Sequence, residues 1–463
     1  MNNKALIIAA LLFMLPVMAN SQNDLSAGSE NQTDEQIIYG FVRGGFFINT
    51  DKNDNKVDVP SAYTDLALKI DAGGEMFRGY GDIRFRYGVE FGEPVTRIDI
   101  REAFVSAGGA RWELSAGQKI IKWGRADFTN PTQKLSPQNL ISRSMDHEDM
   151  DMGNLLLDLK WFPSPVFSIE AVAIPYYRSS TLLIEPLDLP SYVNIRQPGQ
   201  LITGKDMFTY AAKADFHFSG IDFGFSWFDG YDPLPGVMLN KFVIDTTGLF
   251  PVPEADLEMK PYRIRNAGFD FEASAGSFGI RGEAAWTIPK LSFRTHEYVP
   301  CEEVKWVLGT DYMKGNWRFT AEYSGKYIPG FTETTAGSFI GSELDPALLA
   351  MLLATPGFDI EDYVRQQVGS FNRLYNYQVE RSYHSGSLRI ESDLFHERLT
   401  PSVTVLYNFT SHDLLLMPEI TCKPSDGITI YAGGNFLSGK KGSVYDIVDE
   451  FMNCFQAGIK LSF

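Results

Sequence analysis

Apolar and polar residues alternate along most of the 463-residue chain. Between residues 80 and 91, for example, Ile83, Phe85 and Tyr87 alternate with charged or small residues. Side chains of a β-strand point to opposite faces in turn, so this period of two predicts strands with one apolar and one polar face. The pattern recurs and predicts about eighteen strands (sixteen to eighteen), at 37–49, 62–71, 80–91, 95–107, 111–121, 153–162, 167–177, 207–218, 221–230, 262–275, 278–288, 303–313, 317–328, 387–396, 399–410, 414–423, 428–437 and 451–463.

The lengths of the connections alternate as well. Short turns follow the even-numbered strands, as at 108–111, 219–222 and 314–317. Transmembrane β-barrels have short turns at one end and long loops at the other. The pattern therefore predicts an all-β fold, an antiparallel transmembrane β-barrel with short periplasmic turns and long external loops. Most odd-numbered strands precede a long connection, namely 122–152, 178–206, 231–261, 289–302, 329–386 and 438–450.

Tryptophan positions favour a membrane barrel over a soluble β-sandwich. Alternation alone does not separate the two folds, because a sandwich buries its apolar rows and a barrel exposes them to lipid. Indole rings prefer the interface between lipid and water, where they form two girdles. Six tryptophans lie near strand ends on the apolar phase, with Trp112, Trp161 and Trp317 next to short turns, and Trp227, Trp286 and Trp306 next to long loops.

The N-terminal residues predict export from the cytoplasm. Lys4 precedes an apolar stretch at 5–15 and small residues at 17–19, which is the pattern of a secretory signal peptide over residues 1–19. The apolar stretch is too short to span a bilayer. Residues 20–36 are polar and predict a disordered periplasmic leader, so we expect the barrel to occupy residues 37–463.

The last strand carries a recognisable motif. Gln456, Gly458, Leu461 and Phe463 have the spacing polar, x, Gly, two positions, apolar, x, Phe. This resembles the C-terminal signal of Gram-negative outer-membrane β-barrels, and residues 37–463 resemble a porin-type member of that class. The resemblance implies location in the outer membrane of a Gram-negative bacterium, recognition by the barrel-assembly machinery, and contact with outer-membrane lipid and lipopolysaccharide.

A second segment, 117–131, resembles a Trp-Gly…Asn-Pro segment of poorly characterised porin-like barrels. The resemblance assigns no substrate.

A barrel of about eighteen strands leaves an aqueous lumen. We expect the polar rows of the strands to line it. Both signs of charge are present, so these residues either impose a transverse field on a polar solute or neutralise one another across strands. The predicted pore-lining residues are Asp82, Arg84, Arg86, Arg97, Asp99, Arg101, Lys213 and Asp215, with Arg318 and Glu322 on further strands.

The loop at 122–152 follows the fifth predicted strand. In general porins the loop at this place folds into the barrel, so the resemblance implies a constriction here, and charged constrictions set selectivity. The alternative is an ordinary surface loop. Within it, residues 146–151 lack an established calcium-ligand spacing, so we expect a solvated acidic turn. The predicted constriction residues are Lys122, Arg125, Asp127, Lys134, Arg143, Asp146, Glu148 and Asp149.

Composition argues against several partners. The formal net charge of -17 disfavours nucleic acid. The six histidines and three cysteines lack the spacing of a transition-metal site. Residues 51–58 begin like a calcium loop but lack its glycine and its glutamate, so we expect a polar hairpin tip. We therefore expect no metal and no cofactor, and the oligomeric state does not follow from the sequence.

The longest connection, 329–386, predicts two helices. Asp345 and Pro346 form a helix start before the apolar segment 347–354, and apolar residues share one face of 359–376. These helices either cover the pore or pack on its rim.

We predict a porin-like channel that allows small polar solutes to diffuse through a charged, loop-constricted lumen. One alternative is a hydrolase acting on lipid or lipopolysaccharide, in which His217 and Ser219 react near Asp215. Those residues lie on the lumen phase beside a short turn, whereas such lipases face the outer leaflet, so we expect no enzyme. The other alternative is a structural or adhesive barrel that acts through its long loops.

Overall fold

A computed structural model describes residues 35–50, 57–74, 76–140, 142–181, 193–196, 201–204, 206–245, 252–334, 351 and 354–463. The predicted signal peptide, most of the predicted leader and residues 51–56 of the predicted hairpin tip lie outside the described residues.

Eighteen antiparallel strands form one closed sheet, as the alternation predicts. Strands are numbered here in chain order, and three of the described strands lie outside the barrel. The barrel strands are β1 (Glu35–Thr50), β2 (Val57–Gly73), β3 (Phe77–Glu90), β4 (Glu93–Gly109), β5 (Trp112–Lys119), β6 (Asn154–Ser164), β7 (Phe167–Ile174), β9 (Thr209–Phe218), β10 (Ile221–Tyr231), β13 (Arg263–Ala275), β14 (Phe278–Pro289), β15 (Glu303–Lys314), β16 (Trp317–Tyr327), β17 (Ser382–Ser392), β18 (Leu399–Asn408), β19 (Leu414–Ser425), β20 (Ile428–Ser438) and β21 (Cys454–Ser462).

The last strand closes the barrel against the first. Strand β21 pairs with β20 on one side and with β1 on the other, where Ile48 faces Phe455 and Phe41 faces Ser462. Beyond the strand, the Phe463 N–H donates to the Gly40 carbonyl oxygen at 3.0 Å. Closure leaves no barrel strand with an unpaired edge, so the backbone hydrogen bonds of the wall are satisfied within the wall.

The exposed and buried rows of the strands are the reverse of those in a soluble sandwich. On β4, Ile98 is 70% exposed and Val105 is 63% exposed. On the inner face, Asp82 of β3 is 1% exposed and Asp270 of β13 is fully buried. The outer surface is therefore apolar and the charged rows face the interior, which resolves the ambiguity that alternation leaves open.

The tryptophans predicted to form two girdles stand on the outer face. At the short-turn end, Trp112 of β5 faces Trp161 of β6 across the strand pair. At the long-loop end, Trp227 and Trp286 are about half exposed. Trp123 differs from the others, because it is buried within the barrel.

Short hairpins join the strands at one end of the barrel. In the two-residue connections of β13 to β14 and of β15 to β16, Gly276 and Gly315 have φ of +65° and +60°. Glycine adopts this left-handed conformation without a steric penalty, and it suits the tight turns of such hairpins. At the other end, long loops follow β5, β7, β10, β14, β16 and β20, whereas β3 and β18 are followed by short connections.

Segments of the long loops form a small sheet outside the barrel wall. Strands β8 (Val193–Arg196), β11 (Gly236–Asp245) and β12 (Val252–Lys260) form a three-stranded sheet, which the sequence did not predict. Helix α1 (Ile360–Tyr375) packs on this sheet, and helix α2 (Val444–Met452) precedes β21. No helix among the described residues is long and apolar enough to cross a membrane.

Helix α1 confirms the prediction of a helix at 359–376. The Asp359 carboxylate accepts a hydrogen bond from the Asp362 N–H at 3.1 Å and caps the first turn. Val364 and Val368 are buried against the apolar face of the β11–β12 pair. The helix predicted at 347–354 lies almost entirely outside the described residues.

The orientation of the rows makes a prediction about stability. Val403 of β18 is 40% exposed on the outer face. The adjacent Ser402 lies on the inner row and faces Glu391 and Glu419. Val403→Arg should destabilise the barrel in lipid by about 2–4 kcal/mol, because it places a charge in hydrocarbon. The measurement is denaturant unfolding in vesicles.

The matched control is Ser402→Arg. This arginine enters a wet lumen between two carboxylates, so unfolding should stay close to that of the natural chain. Equal destabilisation by the two arginines would contradict the assignment of the rows.

Candidate functional site: the lumen and its inner loop

The connection between β5 and β6, residues 120–153, lies inside the barrel and is called the inner loop. Its first half contacts β13, β14 and β16, and its second half contacts β1, β3, β4 and β21, while Met145 of the second half clusters with Tyr63 of β2. Strand β13 is the tenth barrel strand and β1 is the first, so these two groups of strands are half the circumference apart. The inner loop therefore crosses the lumen and is attached to opposite sides of the wall.

Two wall carboxylates hold the backbone of the first half. Glu283 of β14 accepts hydrogen bonds from the backbone N–H groups of Arg125 and of Ala126, the latter at 2.6 Å. Glu322 of β16 accepts from the N–H groups of Asp127 at 2.6 Å and of Phe128 at 3.1 Å. Hydrogen bonds to an ionised acceptor are among the stronger ones in proteins. Four consecutive peptide groups are thus attached to the wall.

Side chains reinforce this attachment. Arg125 Nε donates to Asp270 Oδ1 at 2.8 Å and Nη1 donates to Glu272 Oε2 at 3.2 Å. Lys213 Nζ lies 3.1 Å from Asp270 Oδ2 and 3.0 Å from Asp215 Oδ1. The structure therefore brings the predicted loop residue Arg125 together with the predicted lumen residues Lys213 and Asp215.

A compact turn explains the Trp-Gly…Asn-Pro segment. Asn130 Nδ2 donates to the Trp123 carbonyl oxygen at 2.6 Å, and Asn130 Oδ1 accepts from the N–H of Gln133 at 3.1 Å. Gly124 has φ of +99°, and a Cβ at this position would collide with Asn130 and with Glu283. The Trp123 indole is buried and donates to Glu170 Oε2 at 2.6 Å. These residues shape the segment that Glu283 holds.

Asp149 attaches the second half of the inner loop. Its carboxylate contacts Arg43 at 2.5 Å and Arg84 at 2.8 Å, and accepts from Ser144 Oγ at 2.6 Å. Burial by itself would raise the pKa of Asp149, but the attraction of Arg43 and Arg84 outweighs it and holds the pKa well below its usual range. A lowered pKa means that this attachment is present at neutral and mildly acidic pH and is lost only as the pH falls through the lowered value.

Arginines of β3 and β4 meet the same half of the loop. Arg86 Nη1 donates to the Arg143 carbonyl oxygen at 2.8 Å, and Arg97 Nη2 donates to Ser142 Oγ at 3.0 Å. Arg101 Nε donates to the Asp151 carbonyl oxygen at 3.4 Å. A cavity of about 130 Å³ remains between this wall and the loop. Its charged lining consists of Arg84, Arg86, Arg97, Arg101, Arg178, Asp65, Asp99, Asp149 and Asp151.

Other predicted loop residues contact side chains outside the loop. Lys134 Nζ lies 2.9 Å from Asp232 Oδ2; burial lowers the pKa of Lys134, but the Asp232 carboxylate outweighs this and raises the pKa overall. Asp127 contacts Arg281 at 2.8 Å, and Arg143 Nη1 donates to Cys454 Sγ at 2.9 Å.

The prediction of a solvated acidic turn at 146–151 is wrong for two of its carboxylates. The side chains of Asp149 and Asp151 are 7% and 10% exposed, and Asp151 contacts Lys122 Nζ at 2.6 Å. Asp146 accepts from the N–H of Glu148 at 3.3 Å, and Glu148 is exposed. The cations that pair with Asp149 come from strands distant in sequence, so the local pattern could not reveal them.

Several wall residues that contact the loop were not predicted from the sequence. Glu283, Asp270 and Arg281 hold the first half of the loop, and Arg43 with Asp65 supports the second half, where their side chains meet at 2.6 Å. All of these residues lie on the polar rows of their strands. Their positions on the polar rows could therefore have identified these residues as lumen-facing. The same positions could not have shown that they contact the loop.

The residues of the hydrolase alternative are not arranged as a catalytic pair. His217 Nδ1 lies 3.2 Å from Asp222 Oδ2 on the neighbouring strand. Asp215 contacts Lys213 instead, and no hydrogen bond joins His217 to Ser219 among the described residues.

No family model matches the sequence, and no curated protein matches it. Solved structures do match. OccAB4 of Acinetobacter baumannii has a TM-score of 0.52 at 10% identity, covering 94% of this chain and 100% of that chain. The outer membrane protein OpdK of Pseudomonas aeruginosa has a TM-score of 0.52 at 9% identity, covering 93% and 98%. OccAB3 of Acinetobacter baumannii has 0.53 at 10% identity, covering 93% and 99%. This chain therefore has the fold of these barrels.

Proposed function

We propose that this protein is a porin-like channel in the outer membrane of a Gram-negative bacterium, through which small polar solutes diffuse. The observation that carries this proposal is a closed wall with an apolar outer face and a charged inner face, crossed by a loop attached to both sides. A wet lumen allows polar solutes to cross, and outer-membrane lipid and lipopolysaccharide cover the apolar rows. The likeness to OpdK, an outer membrane protein, agrees with this location.

The inner loop acts as the constriction in this proposal. Its backbone occupies the lumen, and its contacts with Glu283, Glu322 and Arg43 fix its position. The selectivity of a pore follows from its radius and its charged lining. The proposed lining is Asp82, Arg84, Arg86, Arg97, Asp99, Arg101, Lys213 and Asp215, and the proposed constriction residues are Lys122, Arg125, Asp127, Lys134, Arg143, Asp146, Glu148 and Asp149.

Conductance of the purified protein in planar bilayers tests the channel. Stepwise ion conductance is expected, and its absence would overturn the proposal.

Deleting residues 124–150 should raise single-channel conductance roughly twofold or more, because it removes the constriction and widens the lumen. Unchanged conductance would contradict the role of the inner loop.

A gentler variant tests the attachment of the loop. Glu322→Ala removes the acceptor for two backbone N–H groups of the loop, so we expect noisier current with transient increases in conductance. The control is Glu113→Ala, which changes an inner-row carboxylate at the short-turn end of β5. Equal noise in both variants would show that the contact with Glu322 does not steady the loop.

Charge in the arginine-lined cavity should set ion preference. Arg97→Ala and Arg101→Ala each remove a cation from its lining, so the reversal potential in a salt gradient should shift towards cation selectivity. The control is Arg78→Ala, which removes the same charge from the inner row of β3 at the short-turn end, where Arg78 pairs with Asp71. An equally large shift of the reversal potential in Arg78→Ala would show that the arginines of this cavity do not set the ion selectivity.

We further propose that the barrel-assembly machinery recognises the last strand. Support comes from the spacing of Gln456, Gly458, Leu461 and Phe463 and from the outward exposure of Leu461 on the closing strand. Phe463→Ser should lower the amount of folded barrel in the outer membrane, measured by heat-modifiable gel mobility. The same variant refolded in detergent should conduct like the natural chain, whereas loss of conductance there would indicate a folding defect instead.

A further inference from the structure

A second cavity lies inside the barrel, in a different sector from the arginine-lined cavity. It has a volume of about 260 Å³ and lies against β15 to β18, and Thr129 of the inner loop and Tyr445 of α2 border it. Most of the strand residues that shape it stand on the inner rows, and Trp306, Gly325 and Tyr407 border it from outward-facing positions. Ser324 alternates with the outward Tyr323, and Ser387 alternates with the outward Leu388. The cavity therefore belongs to the lumen, beside the proposed constriction.

The charges of this cavity are balanced. Lys305 Nζ lies 2.7 Å and Lys326 Nζ lies 3.2 Å from the two carboxylate oxygens of Glu303. Glu303 lies behind the lining; the acid in the lining itself, Asp413, is buried, and its Oδ2 accepts from Ser411 Oγ at 2.7 Å. The arginine-lined cavity, in contrast, has five arginines and four aspartates in its lining, so ionised groups dominate its polar surface. The second cavity thus offers little net attraction to an ion of either sign.

Neutral hydroxyl and amide groups supply most of the remaining polar lining. They are the side chains of Thr129, Ser324, Tyr377, Tyr383, Ser385, Ser387, Asn408 and Tyr445. The Tyr383 hydroxyl oxygen already accepts hydrogen bonds from two backbone N–H groups. Burial raises the pKa of Tyr377 and of Tyr445, so the phenols of these two residues are protonated and can donate a hydrogen bond. A phenol offers a hydrogen-bond donor and acceptor next to an apolar ring face.

We propose that this cavity is a binding site for an uncharged, hydroxyl-rich solute of about the size of one sugar ring. The inference rests on the proposed channel function and names one class of solute for it. Serine, asparagine and tyrosine side chains exchange hydrogen bonds with the hydroxyl groups of such a solute, and tyrosine rings pack on its C–H faces. Ligand pockets commonly combine apolar walls with a few placed polar groups in this way.

Glucose is the probe, and its binding to the purified full-length protein in detergent is measured by isothermal titration calorimetry. Ser387→Trp fills the cavity from the inner row of β17 and should weaken binding about tenfold or more, because the pocket loses its space and its hydroxyl. The matched control is Ser402→Trp, an inner-row serine on β18 outside the cavity lining, which should bind glucose like the natural chain.

A second variant avoids any change to the barrel wall. Tyr445→Phe removes only the phenol oxygen from α2, and it should weaken glucose binding several-fold because a site that hydrogen-bonds a hydroxyl discriminates against its loss. Sodium acetate, a small anion, should not bind in this cavity. Any acetate binding to the natural chain should therefore be unchanged in the Ser387→Trp variant.

Absence of glucose binding to the natural chain would overturn the assignment, as would equal binding by the Ser387→Trp and Ser402→Trp variants. Acetate binding that is lost in Ser387→Trp would also overturn the chosen class of solute. Calorimetry does not depend on conduction, so a protein that conducts but does not bind glucose would refute this inference alone. A protein that binds glucose but does not conduct would refute the channel instead.

Discussion

The barrel can exist in a membrane only because its sheet is closed. In hydrocarbon, every backbone polar group of a spanning segment must be satisfied within the protein, and a barrel achieves this only when its last strand pairs with its first. Here β21 pairs with β1, so all eighteen strands have two neighbours. Once the wall is closed, the apolar rows face outwards and the charged rows face one another across the lumen.

The charged interior determines where the inner loop lies. Buried carboxylates and guanidinium groups are costly unless they are paired and hydrogen-bonded. Loop groups satisfy several wall charges: Asp149 pairs with Arg43 and Arg84, and backbone N–H groups donate to Glu283 and Glu322. Because the partners lie on opposite sides of the barrel, the loop spans the lumen. Among the described residues, two of the cavities beside it differ in character, one rich in arginine and one rich in hydroxyl groups.

Local patterns predicted the strands, the parity of the loops and helix α1, because each depends on residues close together in sequence. They also placed Arg84, Arg97 and Lys213 on inner rows, since the period of two assigns every residue of a strand to a face. They did not predict the sheet of β8, β11 and β12, whose β8–β12 pairing joins two separate loops. Nor did they predict the burial of Asp149, because its cations come from β1 and β3.

Alternation and turn residues are local signals, so the sequence alone was enough to predict the class of fold, the approximate number of barrel strands and which side chains of a strand share a face. The tertiary structure decided which inward charges meet. Arg125 pairs with Asp270, and Asp127 pairs with Arg281, only because closure places β13 and β14 opposite the first strands. The same contacts decide which cavities remain open beside the inner loop, since pairing across the lumen depends on distances that no local pattern records.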